Sequence, residues 1–201
     1  MKNAEESLNF IKSLVEDNRK LALGSGMPSI IWGILVIISL LLTYWGITHG
    51  IYSFVYFMVV WLTASALSWF LTVLIERKRE KLKVSSYSQQ ILGVIWLCHG
   101  IVMMILAFLA PLSGVVDPYT IAPMMGTILG SAYFINGFLN QYKWLQAIGV
   151  AWWISSVGIF LLITNQSFGG MYTLLYFAGL MFVLQVVPGI KLEQLWRKEN
   201  R

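Results

Sequence analysis

The sequence predicts an all-α membrane protein of six transmembrane helices, with both ends on the cytoplasmic side of the membrane. Three observations carry this. Hydrophobic residues make up 58% of the 201-residue chain and charged residues 11%, against roughly 25% in soluble domains, and mean hydropathy is +0.72. Six apolar runs, at about 28–47, 52–75, 89–110, 119–140, 144–164 and 171–190, are each near the roughly 20 residues that cross a hydrocarbon core. All fourteen Lys and Arg residues fall in segments that this threading puts on one side. They are Lys2, Lys12, Arg19 and Lys20; then Arg77, Lys78, Arg79, Lys81 and Lys83; then Lys143; then Lys191, Arg197, Lys198 and Arg201. Cationic residues near span ends are retained in the cytoplasm, and the alternate connections hold none.

Residues 1–26 read as a cytoplasmic amphipathic helix and linker. Leu8, Ile11, Leu14, Val15 and Leu21 recur at helical spacing within 4–22. Asn3 suits the cap position with Glu6 three residues on, and Arg19 and Lys20 suit the negative end of the dipole. Such a helix docks a partner or anchors on the membrane surface. Gly24-Ser25-Gly26 breaks it, and Pro28 fits the first turn of the first span. Residues 27–190 form the six-span domain. Its outward connections lie around His49-Gly50, Pro111 to Pro118 and Asn165 to Gly170, and its main inward loop runs from Glu76 to Ser88. Residues 191–201 form a cytoplasmic tail, with Leu192, Leu195 and Trp196 lying on the membrane and Lys191, Arg197 and Lys198 facing water.

The spans also read as three copies of one helical hairpin. Trp32, Trp96 and Trp152 sit near the inner ends of the odd spans, each three residues after a small one, Ser29, Gly93 or Gly149. The even spans open with Tyr52-Ser53, Tyr119-Thr120 and Tyr172-Thr173. A hairpin repeat keeps its orientation, so the copies would be related by an axis along the membrane normal. Aromatic belts at the two interfaces produce similar marks without any repeat.

No Asp, Glu, Lys or Arg lies within the core of a span, which counts against proton relays, voltage sensing and coupled ion transport. The polar residues that remain are neutral. His99 lies mid-span beside Cys98. Asn136 and Asn140 share a helix face, and Gln185 precedes Pro188-Gly189 by three residues. With Trp96 and Trp152 these form the expected ligand site, so His99→Ala and Gln185→Leu should each weaken binding. The alternative is interhelical hydrogen bonding. Gly126 and Gly130 have GxxxG spacing, with Gly137 one heptad on, suited to homodimerisation or to packing inside the bundle.

No nucleotide fingerprint, metal-ligand set or catalytic motif is present, and the sequence implies no cofactor and no nucleic-acid partner. The segment Glu6-Ser7-Leu8, Ile11-Lys12 and Trp32-Gly33-Ile34-Leu35-Val36 resembles the opening of a family of uncharacterised bacterial six-helix membrane proteins, of form ESLxxI followed by WGxLV. The likeness continues through Gly130 to Gly137 and Gln141 to Gly149, and ends at Val187-Pro188-Gly189, similar to their closing IPG. The resemblance implies the inner membrane and no catalytic residue.

The expected function is non-enzymatic: binding an uncharged or amphiphilic ligand, or serving a partner as a membrane subunit or sensor. The partners expected are membrane lipids, a second copy of the chain or another membrane subunit. One alternative is a transporter component working with a separate ATPase, similar to the substrate-binding subunits of energy-coupling-factor transporters or to small ABC permeases. Another is a lipid-active enzyme with His99 as its base.

Overall fold

The computed structural model describes residues 25–80, 87–114, 116–164 and 170–199. The amphipathic reading of 4–22 and the loop residues Lys81 and Lys83 lie outside them. Every regular element among the described residues is helical. In chain order, α1 is Met27–Thr48, α2 is Phe54–Glu80 and α3 is Tyr87–Met104. A π turn, Ile105–Leu109, then leads to the short piece Ala110–Leu112. A 3-10 turn, Pro118–Thr120, opens α4, Ile121–Leu139, and α5 is Lys143–Thr164. α6, Gly170–Met181, passes through a second π turn, Phe182–Val186, into α7, Val187–Glu199.

Among the described residues, five helices are long and apolar enough to cross a membrane: Met27–Thr48, Phe54–Lys78, Gln90–Leu112, Lys143–Ile163 and Gly170–Lys198. α4, expected from sequence as the fourth span, is not among them. Its positions go to Gly126, Thr127, Gly130, Ser131, Asn136 and Gly137, which lower its hydropathy. Those small residues face protein. A Cβ built on Gly126 would meet the Ser156 side chain, and one on Gly137 would lie 2.6 Å from the Gln146 nitrogen. A Cβ on Gly130 would lie 2.9 Å from the Gly149 carbonyl oxygen. All three point at α5, so the GxxxG spacing serves packing within this chain and is not free to pair two copies.

The second tight pair joins the first helix to the last. Gly33 faces Gln185 and Val186, Gly189 faces Ser29 and Ile30, and Gly26 abuts the backbone of Gly189 and Glu193. The order reverses, so α1 runs antiparallel to α6 and α7. At the end of this seam Ser25 Oγ donates to Glu193 Oε2 at 3.2 Å, and Arg197 Nε donates to Glu193 Oε1 at 2.8 Å. α2 holds the other end of α1: the Tyr56 hydroxyl donates to the Leu42 carbonyl at 2.9 Å, and Trp61 Nε1 to Thr43 Oγ1 at 3.1 Å. α3 rests chiefly on α4. Trp152, Tyr133, Leu145 and Ile159 are fully buried and fill the space between the pairs.

The last helix differs from the sequence expectation. It runs unbroken to Glu199, with Leu192 in the core and Glu193 buried, so Leu192 does not lie on a membrane surface. Lys191 Nζ sits 4.1 Å over the Trp144 ring. The π turn makes this continuity possible. Proline lacks an N–H, so Pro188 orphans the carbonyl four residues back, that of Leu184. The preceding Val187 N–H already reaches five back, to the Phe182 carbonyl, and Trp152 Nε1 donates to the Leu184 carbonyl at 3.3 Å. α3 ends by the same device: the Ala110 N–H bonds the Ile105 carbonyl just before Pro111.

α4 and α5 are joined by a tight turn. Gln141 adopts φ 58°, Tyr142 N–H donates to the Gly137 carbonyl at 2.8 Å, and Gln141 N–H to that of Phe138 at 3.2 Å. This is a Schellman motif without its usual glycine. A left-handed backbone costs a residue bearing a Cβ about 1–2 kcal/mol, and glycine's extra unfolded-state freedom takes back about 0.5–1. Gln141→Gly is therefore expected to stabilise the protein by roughly 0.5–1 kcal/mol. The measurement is the unfolding midpoint in an SDS titration, and an unchanged or lower midpoint would contradict this account.

Candidate functional site

The residues expected to form one ligand site are distributed over five places. Trp152 is core: it is fully buried against Phe177, with ring centroids 5.6 Å apart, and its indole serves the Leu184 carbonyl. Trp96 packs edge-on to Tyr133 at 5.8 Å, a neighbour that sequence reasoning did not single out. Tyr133 is fully buried, and its hydroxyl has the Ser29 side chain beside it, outside hydrogen-bond geometry. Asn136 and Asn140 do meet. Asn140 Nδ2 donates to the Asn136 carbonyl at 3.0 Å and to Asn136 Oδ1 at 2.6 Å. They close the end of α4 above the Schellman turn, and that is a capping role. Gln185 lies in the π turn of the last helix with its aliphatic part against Gly33, and its Oε1 has no hydrogen-bond partner among the described residues.

The tryptophans that mark the sequence repeat occupy unlike settings. Trp152 is enclosed, whereas Trp32 and Trp96 are half-buried. A Cβ on Gly149 meets the backbone of α4, while one on Gly93 meets nothing within 4 Å.

His99 lies elsewhere. It is half-buried in an open groove of about 300 Å³ between α3 and α4, lined by Cys98, His99, Val102, Thr127, Ile128 and Ser131. The lining holds no Asp, Glu, Lys or Arg. The flank of α3 on which the groove opens is apolar and exposed, with Val94, Leu97, Ile101, Val102 and Ile105 facing outward. Gln185 is not part of the groove, so the expectation that His99 and Gln185 would act on one ligand does not match the geometry.

The polar groups of the groove are tied to backbone. His99 Nδ1 lies 2.7 Å from the Ile95 carbonyl oxygen of its own helix. A carbonyl can only accept, so Nδ1 bears a hydrogen, and in the neutral imidazole Nε2 then carries a lone pair. The Thr127 hydroxyl donates to the Met124 carbonyl at 2.7 Å, with that of Pro123 at 3.0 Å. The Ser131 hydroxyl donates to the Thr127 carbonyl at 3.1 Å, and the same carbonyl takes Trp153 Nε1 at 3.1 Å.

Thr127 and Ser131 went unnoticed as site residues. Their signal was available: two hydroxyls four apart share a helix face, and they follow Gly126 and Gly130 by one residue each, which turns them off the glycine seam. Tyr133 gave no comparable signal. No family model, no curated protein and no solved structure matches the chain.

Proposed function

We propose that this is a non-enzymatic protein of the bacterial cytoplasmic membrane that binds an uncharged, amphiphilic small molecule in the groove between α3 and α4. The groove carries the proposal. Its lining holds no Asp, Glu, Lys or Arg, it offers a histidine and two hydroxyls among apolar side chains, and it opens on an apolar flank from which a membrane-dissolved molecule would enter.

Six spans with both termini inside fit the same geometry. α1 and α7 meet where Ser25 bonds Glu193, so an even number of crossings separates them. Five helices alone would leave those ends on opposite sides, and α4 supplies the sixth crossing. The packing supports the charge argument too. Lys143, Lys191, Arg197 and Lys198 gather at that end, whereas Asp117 precedes Tyr119, which packs on Gly170 at the other.

The test is photolabelling of the full-length protein in lipid nanodiscs with a diazirine-bearing long-chain alcohol. Saturable labelling centred on 98–102 and 127–131, competed by excess unlabelled alcohol, is the expected result. Thr127→Phe fills the groove and is expected to reduce that labelling about tenfold, equivalent to about 1.4 kcal/mol. Uniform, non-competable labelling of all exposed faces, α2 included, would refute the groove as a binding site.

A further inference from the structure

Building on the groove assignment above, we propose that its ligand is a hydrogen-bond donor: an uncharged amphiphile with a free alcohol or phenol hydroxyl, and not a carbonyl, ester or ether of the same shape. The inference follows from counting hydrogens. A hydroxyl side chain has one hydrogen, and both in the groove are committed, that of Thr127 to the Met124 and Pro123 carbonyls and that of Ser131 to the Thr127 carbonyl. In the neutral imidazole the one N–H hydrogen is committed to the Ile95 carbonyl. What the groove still offers is lone pairs: Nε2 of His99 and the two hydroxyl oxygens. The Cys98 thiol is exposed, and a thiol is a weak donor.

The ring geometry directs this acceptor outward. Nδ1 turns back to its own helix at Ile95, so Nε2, across the ring, projects away from the helix axis. An imidazole nitrogen is a strong neutral acceptor, and at membrane depth no bulk water competes for it. A ligand hydroxyl donating to Nε2 makes a bond that its methyl ether cannot make. A ketone or ester oxygen brought to the same place would meet other lone pairs and gain no bond in return.

The experiment compares two unlabelled competitors, hexadecanol and hexadecyl methyl ether, against the diazirine alcohol in nanodiscs holding the full chain. In the native protein the alcohol is expected to compete about tenfold better than the ether for groove labelling, the size of effect one unopposed hydrogen bond gives. His99→Leu removes the acceptor and should bring the two competitors to parity. His99→Gln restores an acceptor and adds N–H donors, so alcohol binding should return and the ether should now gain. Equal competition in the native protein, with the groove labelled, would overturn the donor assignment and leave the groove reading standing. An alcohol preference that survives His99→Leu would also overturn it. No labelling of the groove by either route would remove both the site and the inference about its ligand.

Discussion

Trp152→Ala is expected to destabilise the protein by about 3–5 kcal/mol, the range for deleting a fully buried tryptophan. Apolar burial from water does not drive helix association in a membrane, so the loss must come from packing and hydrogen bonding. Both are concentrated at this residue. Its ring is fully buried, packs on Phe177 and reaches the α4 seam at Gly126. Its Nε1 is also the partner of the Leu184 carbonyl that Pro188 leaves without a helical donor. Alanine would open a cavity and strand that carbonyl together. Trp152→Phe separates the two effects: it keeps most of the volume and loses the bond, so about 1–2 kcal/mol is expected. SDS titration of each variant gives the numbers, and a loss under about 1 kcal/mol for alanine would show that the core repacks around the site.

Gly149→Val should be nearly as damaging, by the opposite mechanism. A Cβ there would lie 2.6 Å from the Gly130 carbonyl oxygen and 2.8 Å from the Phe134 nitrogen. These are backbone atoms of α4 and cannot turn aside as a flexible side chain could. The helices must separate, and the seam from Gly126 to Gly137 opens with them. Overpacking against backbone is expected to cost about 3 kcal/mol, at the upper end for small-to-large changes. Gly158 is the control, since a Cβ there meets nothing within 4 Å on the same helix. Gly158→Ala should be neutral or stabilise by up to about 1 kcal/mol through helix propensity. If both variants unfold at the native midpoint, the close approach of α4 and α5 is not what holds the pair together.

The helices were legible in the sequence because glycine, proline and charge punctuate them. The expected spans and the observed helices agree closely through α5. The tail was expected to lay Leu192 on the membrane surface, but Gly189 and Gly26 let α1 cross closely enough to bury Leu192 and Glu193. That is a property of two segments far apart in sequence.

Candidate site residues were less legible, for a related reason. Periodicity places Asn136 and Asn140 on one face but does not say whether the face meets a ligand or a turn. The turn depends on Gln141 adopting a backbone conformation that its residue type does not announce. A lone histidine in an apolar helix was visible, but the flank it faces depends on how α3 is rotated on α4. Only packing fixes that rotation.

The pairing of α1 with α6 and α7 also dictates an order of assembly. The α4–α5 hairpin can close as soon as it is made, through a short local turn. α1 finds α2 early, and Tyr56 and Trp61 pin its C-terminal half. Its N-terminal half, from Gly26 to Gly33, waits for partners that follow it by roughly 150 residues, on the order of 10–30 s at common translation speeds. Through that interval Gly26, Ser29 and Gly33 present an unfilled seam to whatever occupies the bilayer nearby. Chains truncated before Gly189 are therefore expected to be degraded faster in the membrane than the full chain, because the α1 seam has no helix to fill it.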